Sequence, residues 1–240
     1  MNTQLAHPGQ KSDTTAGASR LRRRRFKKRW IIVALMLAAL VYAAVDLYGP
    51  RKSNLRDFDP NEVARLETAM WRSYYDRQRV RLFNQLAEML RTQYRLPFIR
   101  SNAVAYQAAK AAFVFKDGRG REDYEKALPN LVSFYAEIHK VSDVDFDVNR
   151  AARLELEWWI VHRERKRHKA GDLENALAEL VGEIYQMPPE KFMEHARLRA
   201  EAMTIRDTKA EDGDVTEENW GRIGELLRES WQSLWQAVNS

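Results

Sequence analysis

From Trp30 to Tyr48 the chain is apolar at every position except Asp46. As a helix this run spans about 28 Å, close to the hydrocarbon thickness of a bilayer, so the pattern predicts a transmembrane helix over residues 30–48. Gly49-Pro50 ends it and residues 49–58 form a polar connector. Beyond it the apolar positions recur every three to four residues, which is the period of a half-buried helix. Asp59-Pro60-Asn61-Glu62 reads as a helix start, with Asp as N-cap, Pro at the first turn and Glu at N3. The stripe Val63, Leu66, Met70, Tyr74, Leu82, Phe83, Leu86 and Leu90 predicts one long helix to about Tyr94, shifting its face near Arg81.

Further helices follow from the same spacing. Ser101 reads as the cap of an alanine-rich helix, and Lys116 to Arg121 as a turn whose glycines lack the strand context of a phosphate loop. A helix is predicted over 121–140, kinked or restarted at Pro129, and another from Phe146 to Lys169. Asp172 caps a short helix stopped by Pro188-Pro189, Glu190 to Arg206 forms the next, and residues 207–214 a polar loop. Asp214 to Glu217 opens the last helix as a capping box, with Trp220, Ile223, Leu227, Trp231, Leu234 and Val238 as its seam. Nothing alternates with period two, so strands are not expected. The expected fold is all-α: a single N-terminal transmembrane helix followed by a soluble bundle of six to seven helices over 59–240. A solenoid of helix pairs is the alternative.

Charge orients this architecture. Arg20, Arg22, Arg23, Arg24, Arg25, Lys27, Lys28 and Arg29 abut the apolar run. Basic residues are retained on the cytoplasmic side, so residues 1–29 read as a disordered basic cytoplasmic tail and the bulk of the chain as extracytoplasmic, at the plasma (inner) membrane. The side chains of Arg22, Arg23, Arg24, Arg25, Lys27 and Lys28 are the expected contacts to anionic headgroups. A cleaved signal peptide is the rival reading, with small residues near Val41-Tyr42-Ala43. The run exceeds the usual length of a signal core, which favours an uncleaved anchor.

The net charge of +6 over 240 residues suggests nucleic acid binding until it is located. Residues 1–50 hold nine of the 40 Lys and Arg but two of the 34 Asp and Glu. The remainder is near neutral with interspersed signs, which excludes a phosphate-binding stripe. The absence of cysteine rules out disulfides and thiolate metal sites. No Gly-x-Ser-x-Gly elbow is present and the serines read as helix or cap residues, which argues against a hydrolase.

Candidate chemistry rests on acids at inward positions. In Leu154 to His162, Glu155 and His162 fall two turns apart on the face bearing Trp158, Trp159 and Ala151. Glu67 lies in the stripe of Val63, Met70, Trp71 and Tyr74, with Gln78 and Arg81 further along. Carboxylates in an apolar interior must be paired, protonated or metal-bound. Two readings follow. Glu67, Glu155 and His162, with His139 or His195, supply part of a di-metal carboxylate site for an Fe or Mn pair. Glu155 and His162 resemble one half of the heme-oxygenase-like arrangement, but no second histidine-rich helix and no Glu-x-x-His occurs. Alternatively the acids sit in a buried polar network with Tyr74, Arg81, Arg95 or Arg100, and no cofactor is required. Trp235, beside the seam of the last helix, is the candidate anchor for a protein partner. The leading expectation is a membrane-anchored binding, scaffold or accessory subunit of a cell-envelope complex, and the alternative is a tethered di-iron oxidase-like enzyme.

Overall fold

The computed structural model describes the backbone of residues 14–240 and side chains from Lys28 onward. The chain divides into two units, residues 1–48 and 49–240. In the first, α1 (Thr14–Tyr48) is a single helix. Its segment Lys28–Tyr48 has a mean hydropathy of 2.3 and only 6% of it is buried, so it is long and apolar enough to cross a membrane. Trp30, Leu35 and Leu40 are each more than 60% exposed. This helix includes the basic run, which the sequence places in a disordered tail over residues 1–29; residues 1–13 of that tail lie outside the described residues. The side chains of Arg22, Arg23, Arg24, Arg25 and Lys27 lie outside those described, and Lys28 is exposed.

The second unit is a helical bundle, as expected, in more pieces than the sequence suggests. The long first helix is two: α2 (Pro60–Tyr75) and α3 (Arg79–Tyr94). Asp59 caps α2 by accepting from the Asn61 and Glu62 amides. The break falls at Arg77, which adopts φ 58°, while the Gln78 amide donates back to the Ser73 carbonyl. The shift of the apolar stripe near Arg81 thus marks a change of helix. The chain turns again at Arg95, also left-handed, into α4 (Phe98–Asp117). Pro97 occupies the cap of α4, and Ser101 sits in the first turn with its hydroxyl donating to the Phe98 carbonyl, so it is not the cap. Pro129 does mark a restart, separating α5 (Arg121–Glu125) from α6 (Leu128–Val141).

Then follow α7 (Val148–Arg163), α8 (Asp172–Tyr185), α9 (Met193–Asp212) and α10 (Glu217–Asn239). Gly171, not Asp172, holds the cap position of α8. α9 runs through most of the expected loop over 207–214, because Asp207 is buried and bonded to Arg206. The capping box of α10 is formed by Thr216 and Asn219, each side chain accepting from the other residue's amide. Thr216→Ala should remove about 1 kcal/mol and lower Tm by about 2–4 °C. An unchanged thermal melt by circular dichroism would show that this end of α10 frays in the native protein.

Contacts run α2 to α3 to α4 to α6 to α7 to α8 to α9 to α10, and α10 packs back on α2. The helices therefore close a ring, which excludes an open solenoid. Leu131, Ile138, Leu177, Ile223, Leu226 and Leu234 are among its fully buried side chains. Connector residues 49–58 lie across one end: Ser53 bonds the Val141 and Tyr94 carbonyls, Tyr185 donates to the Leu55 carbonyl, and Asn239 to the Arg56 carbonyl. This connector end holds the α3–α4 corner. The distal end holds the α2–α3 break and the C-terminus of α4.

Candidate functional site

The centre of the ring is charged. Glu67, on α2, is 2% exposed. Its Oε1 accepts from Arg199 Nε at 3.0 Å and Nη2 at 2.7 Å, and its Oε2 accepts from Trp231 Nε1 at 2.6 Å. On α7, Glu155 accepts from the Tyr135 hydroxyl at 2.7 Å and from Trp159 Nε1 at 2.9 Å. The Arg199 guanidinium lies 5.2 Å from the centre of the Trp158 ring, and its charge also acts on Glu155. One arginine on α9 thereby joins acids from α2 and α7, with donors from α6 and α10.

The electrostatics follow from that arrangement. Burial disfavours the charged form of Arg199, but Glu67 and Glu155 outweigh it and raise its pKa. Burial, reinforced by Glu155, pushes the Tyr135 hydroxyl well above its usual range. Tyr94 is raised by the same two causes. Both phenols are therefore neutral at physiological pH, and Tyr135 acts as a donor to Glu155 and not as a base or nucleophile. Each of the four carboxylate oxygens accepts from a donor of the protein, so the hub ties helices together.

A neutral pair lies beside it. His195 is 2% exposed, and its Nδ1 is 3.0 Å from the Ser230 carbonyl and 2.7 Å from Ser230 Oγ. Ser230 Oγ donates to the His195 carbonyl at 2.9 Å, so the proton on Nδ1 is assigned to the histidine. Burial, aided by Arg199, lowers the His195 pKa to about 4. Ser230 is fully buried and its proton is committed to a carbonyl, so this pair is not an activated nucleophile.

Toward the distal end, His162 Nε2 lies 3.1 Å from Asp207 Oδ2, a close contact without hydrogen-bond geometry. Arg165 reaches the same oxygen at 3.2 Å, and Arg206 bonds Oδ1 at 2.9 Å. Burial pushes the Asp207 carboxyl up, but His162, Arg206 and Arg165 together hold it below its usual range. His162, Arg165, His168, Lys169 and Glu174 border a half-open cavity of about 160 Å³. His162, Arg165 and His168 at this cavity each face an aspartate, whereas the Lys169 side chain has no carboxylate partner among the described residues.

The structure thus bears out inward positions for Glu67 and separates the expected set. Glu67 rests on Arg199, half-buried Glu155 on Tyr135 and Trp159, His162 on Asp207, and His195 on Ser230. His139 pairs with exposed Asp145 at 2.9 Å near the connector end. Among the described residues no three His, Asp or Glu side chains group so as to hold a metal ion. Tyr74 and Arg81 are corrected from buried network to surface: Tyr74 is 45% exposed against Tyr75, and Arg81 is exposed and bonded to Gln78. Both stand where α2 ends and α3 begins, beyond the reach of the core. Arg95 pairs with Asp57, and Arg100 donates to the Gly49 carbonyl. Trp235 is 41% exposed. Arg199, Asp207 and Ser230 were missed, although His195, Arg199 and Met203 share a helical face. No family model matches this chain, and no curated protein or solved structure is significantly similar to it.

Proposed function

We propose that this chain is a single-pass membrane-anchored protein whose extracytoplasmic bundle binds a protein partner, as a scaffold or accessory subunit of a cell-envelope complex. The observation that carries this reading is the apolar segment Lys28–Tyr48, which is 6% buried and lacks cover for its side chains. The positive charge before it favours a cytoplasmic N-terminus, and its basic side chains suit anionic headgroups. Two further features favour binding over catalysis. The buried acids are satisfied by arginine, tyrosine and tryptophan of the same chain. The distal end meanwhile exposes Tyr74 at 45%, Val80 at 76% and Phe113 at 48%, with the Arg79 guanidinium 5.9 Å from the Phe113 ring centre. Exposed aromatics beside arginine match the composition of interface hot spots.

Protease added to spheroplasts should degrade the bundle and spare residues preceding Trp30; full protection would reverse the orientation. A photo-crosslinker replacing Phe113 in the native membrane should yield a discrete adduct that Val80→Asp abolishes with folding intact. Absence of any adduct from positions 80 and 113 would sink the partner reading.

A further inference from the structure

We propose that the outer face of α4 docks an acidic amphipathic helix of the protein partner, with Tyr106 and Phe113 as apolar anchors and Arg79, Lys110 and Lys116 meeting its carboxylates. This inference rests on the partner reading above and names the kind of segment that is bound.

The first ground is an apolar stripe that the bundle leaves open. The buried residues Arg100, Ser101, Val104, Ala105 and Ala111 define the inward side of α4. The opposite side carries Ala103, Tyr106, Lys110 and Phe113, all exposed, with Tyr106 at 58% and Phe113 at 48%. Half-buried Ile99, Tyr106 and Phe113 recur every seven residues, so they stand nearly in line over about 21 Å of helix. Ala103 and Ala109 lie between them and leave room for a partner's side chains. Large and small residues alternating at this spacing suit a helix that lays its own apolar stripe along α4. The aromatics at both ends are already braced by α3: the Arg79 guanidinium lies 5.9 Å from the Phe113 ring centre, and that of Arg91 lies 5.3 Å from the Phe98 ring centre. Anchors ordered before binding lose less entropy when the partner arrives.

The second ground is charge, which selects the occupant. Residues 79–117, from the start of α3 to the end of α4, hold seven Lys and Arg but two Asp and Glu. Arg79, Arg91, Lys110 and Lys116 have no carboxylate partner among the described residues. On the helices to either side the basic residues are matched: Arg65 pairs with Glu62, Arg121 with Glu125, Lys126 with Asp123, and Lys140 with Glu137. The other acids around α3 and α4 do not cancel the excess. Glu88 acts on Arg65 of α2, and Glu122 of α5 acts on Lys126. Asp76 and Asp117 are exposed at the distal end, where Arg77, Arg79 and Lys116 outnumber them. Two copies of this chain meeting across α4 would set Lys110 and Lys116 against like charges, which disfavours a dimer. Acids interspersed among the cations suit the mixed pattern of a protein segment better than the uniform negative charge of a phosphate surface.

The test places a photo-crosslinker at Tyr106, and in a second variant at Phe113, of the full chain in the cells that produce it, and identifies the captured peptides by mass spectrometry. Both positions are exposed, so neither replacement disturbs the core. Position 106 should join a segment of another protein in which Asp and Glu exceed Lys and Arg and apolar residues recur every three to four positions. Lys110→Glu with Lys116→Glu should cut the yield of that adduct about fivefold, with the near-ultraviolet circular dichroism unchanged. An adduct at 113 with none at 106 would overturn the α4 site and leave the partner reading standing, whereas none at either position would bring down both. Capture at 106 of a second copy of this chain, of phospholipid, or of a segment without acidic excess would overturn the proposal. So would a yield at 106 indifferent to the two glutamates, because charge is what selects this occupant.

Discussion

Arg199→Met is expected to destabilise the bundle by about 3–5 kcal/mol, the cost of leaving a buried charge uncompensated. The side chain volume is nearly conserved, so a cavity contributes little. What is lost is the pair of bonds from Nε and Nη2 to Glu67 Oε1, together with a cation that acts on both Glu67 and Glu155. Glu67 would keep the Trp231 bond and stay 2% exposed, too deep for water to replace a guanidinium. A domain of this size has about 5–15 kcal/mol in total, so the variant should unfold early in a urea titration monitored by near-ultraviolet circular dichroism. Arg199→Lys should restore only part, because an ammonium cannot reproduce the planar fork. Adding Glu67→Gln to Arg199→Met should restore part as well, since it removes the stranded charge. A loss below about 1 kcal/mol for Arg199→Met would mean that solvent reaches the hub, a behaviour of surface pairs.

How much of this was legible depends on where the signal is local. The membrane-length run shows in the sequence because nineteen-residue hydropathy needs no partner to be read. The Asp59-Pro60 start and the α10 seam show for the same reason: cap chemistry and helical spacing lie within a few residues. The break at Arg77 does not, because a non-glycine residue at positive φ carries little compositional signal. Glu67 is legible from its place within an apolar stripe, but no arginine of the nearer helices is its partner. The partner is 132 residues away on α9. There the same logic was obscured, because α9 buries His195, Ala196, Leu198, Ala200, Ala202 and Met203, which leaves no single stripe against which an arginine stands out. Arg197, two residues before Arg199, bonds Glu194 and Glu201 at the surface and makes the stretch look like a solvated face. Asp207 was hidden in the same way, in a run of charges that reads as a loop. Partner choice between distant helices is set by ring closure, which no local window contains.

His195 makes the stability of the bundle fall as the medium is acidified. Its folded pKa of about 4 lies below the ordinary value of 6.5, with burial as the main cause and Arg199 as the next, opposed by the Ser230 bond and Glu67. Between those values the unfolded chain binds a proton that the folded chain refuses, so stability rises with pH across the window and is complete above about 6.5. The depression corresponds to about 3 kcal/mol lost between pH 6.5 and 4. Asp207 acts in the same direction but further down, since its folded pKa is held below 3.8 and its contribution is lost only under stronger acid. The two are separable by pH. Urea midpoints at about pH 7, 5.5 and 4.5 should decline steeply for the native chain, and His195→Gln, which keeps a donor for the Ser230 carbonyl, should flatten the decline while lowering the midpoint at pH 7. Parallel declines in the two proteins would assign the acid sensitivity to the surface carboxylates and remove His195 from the account.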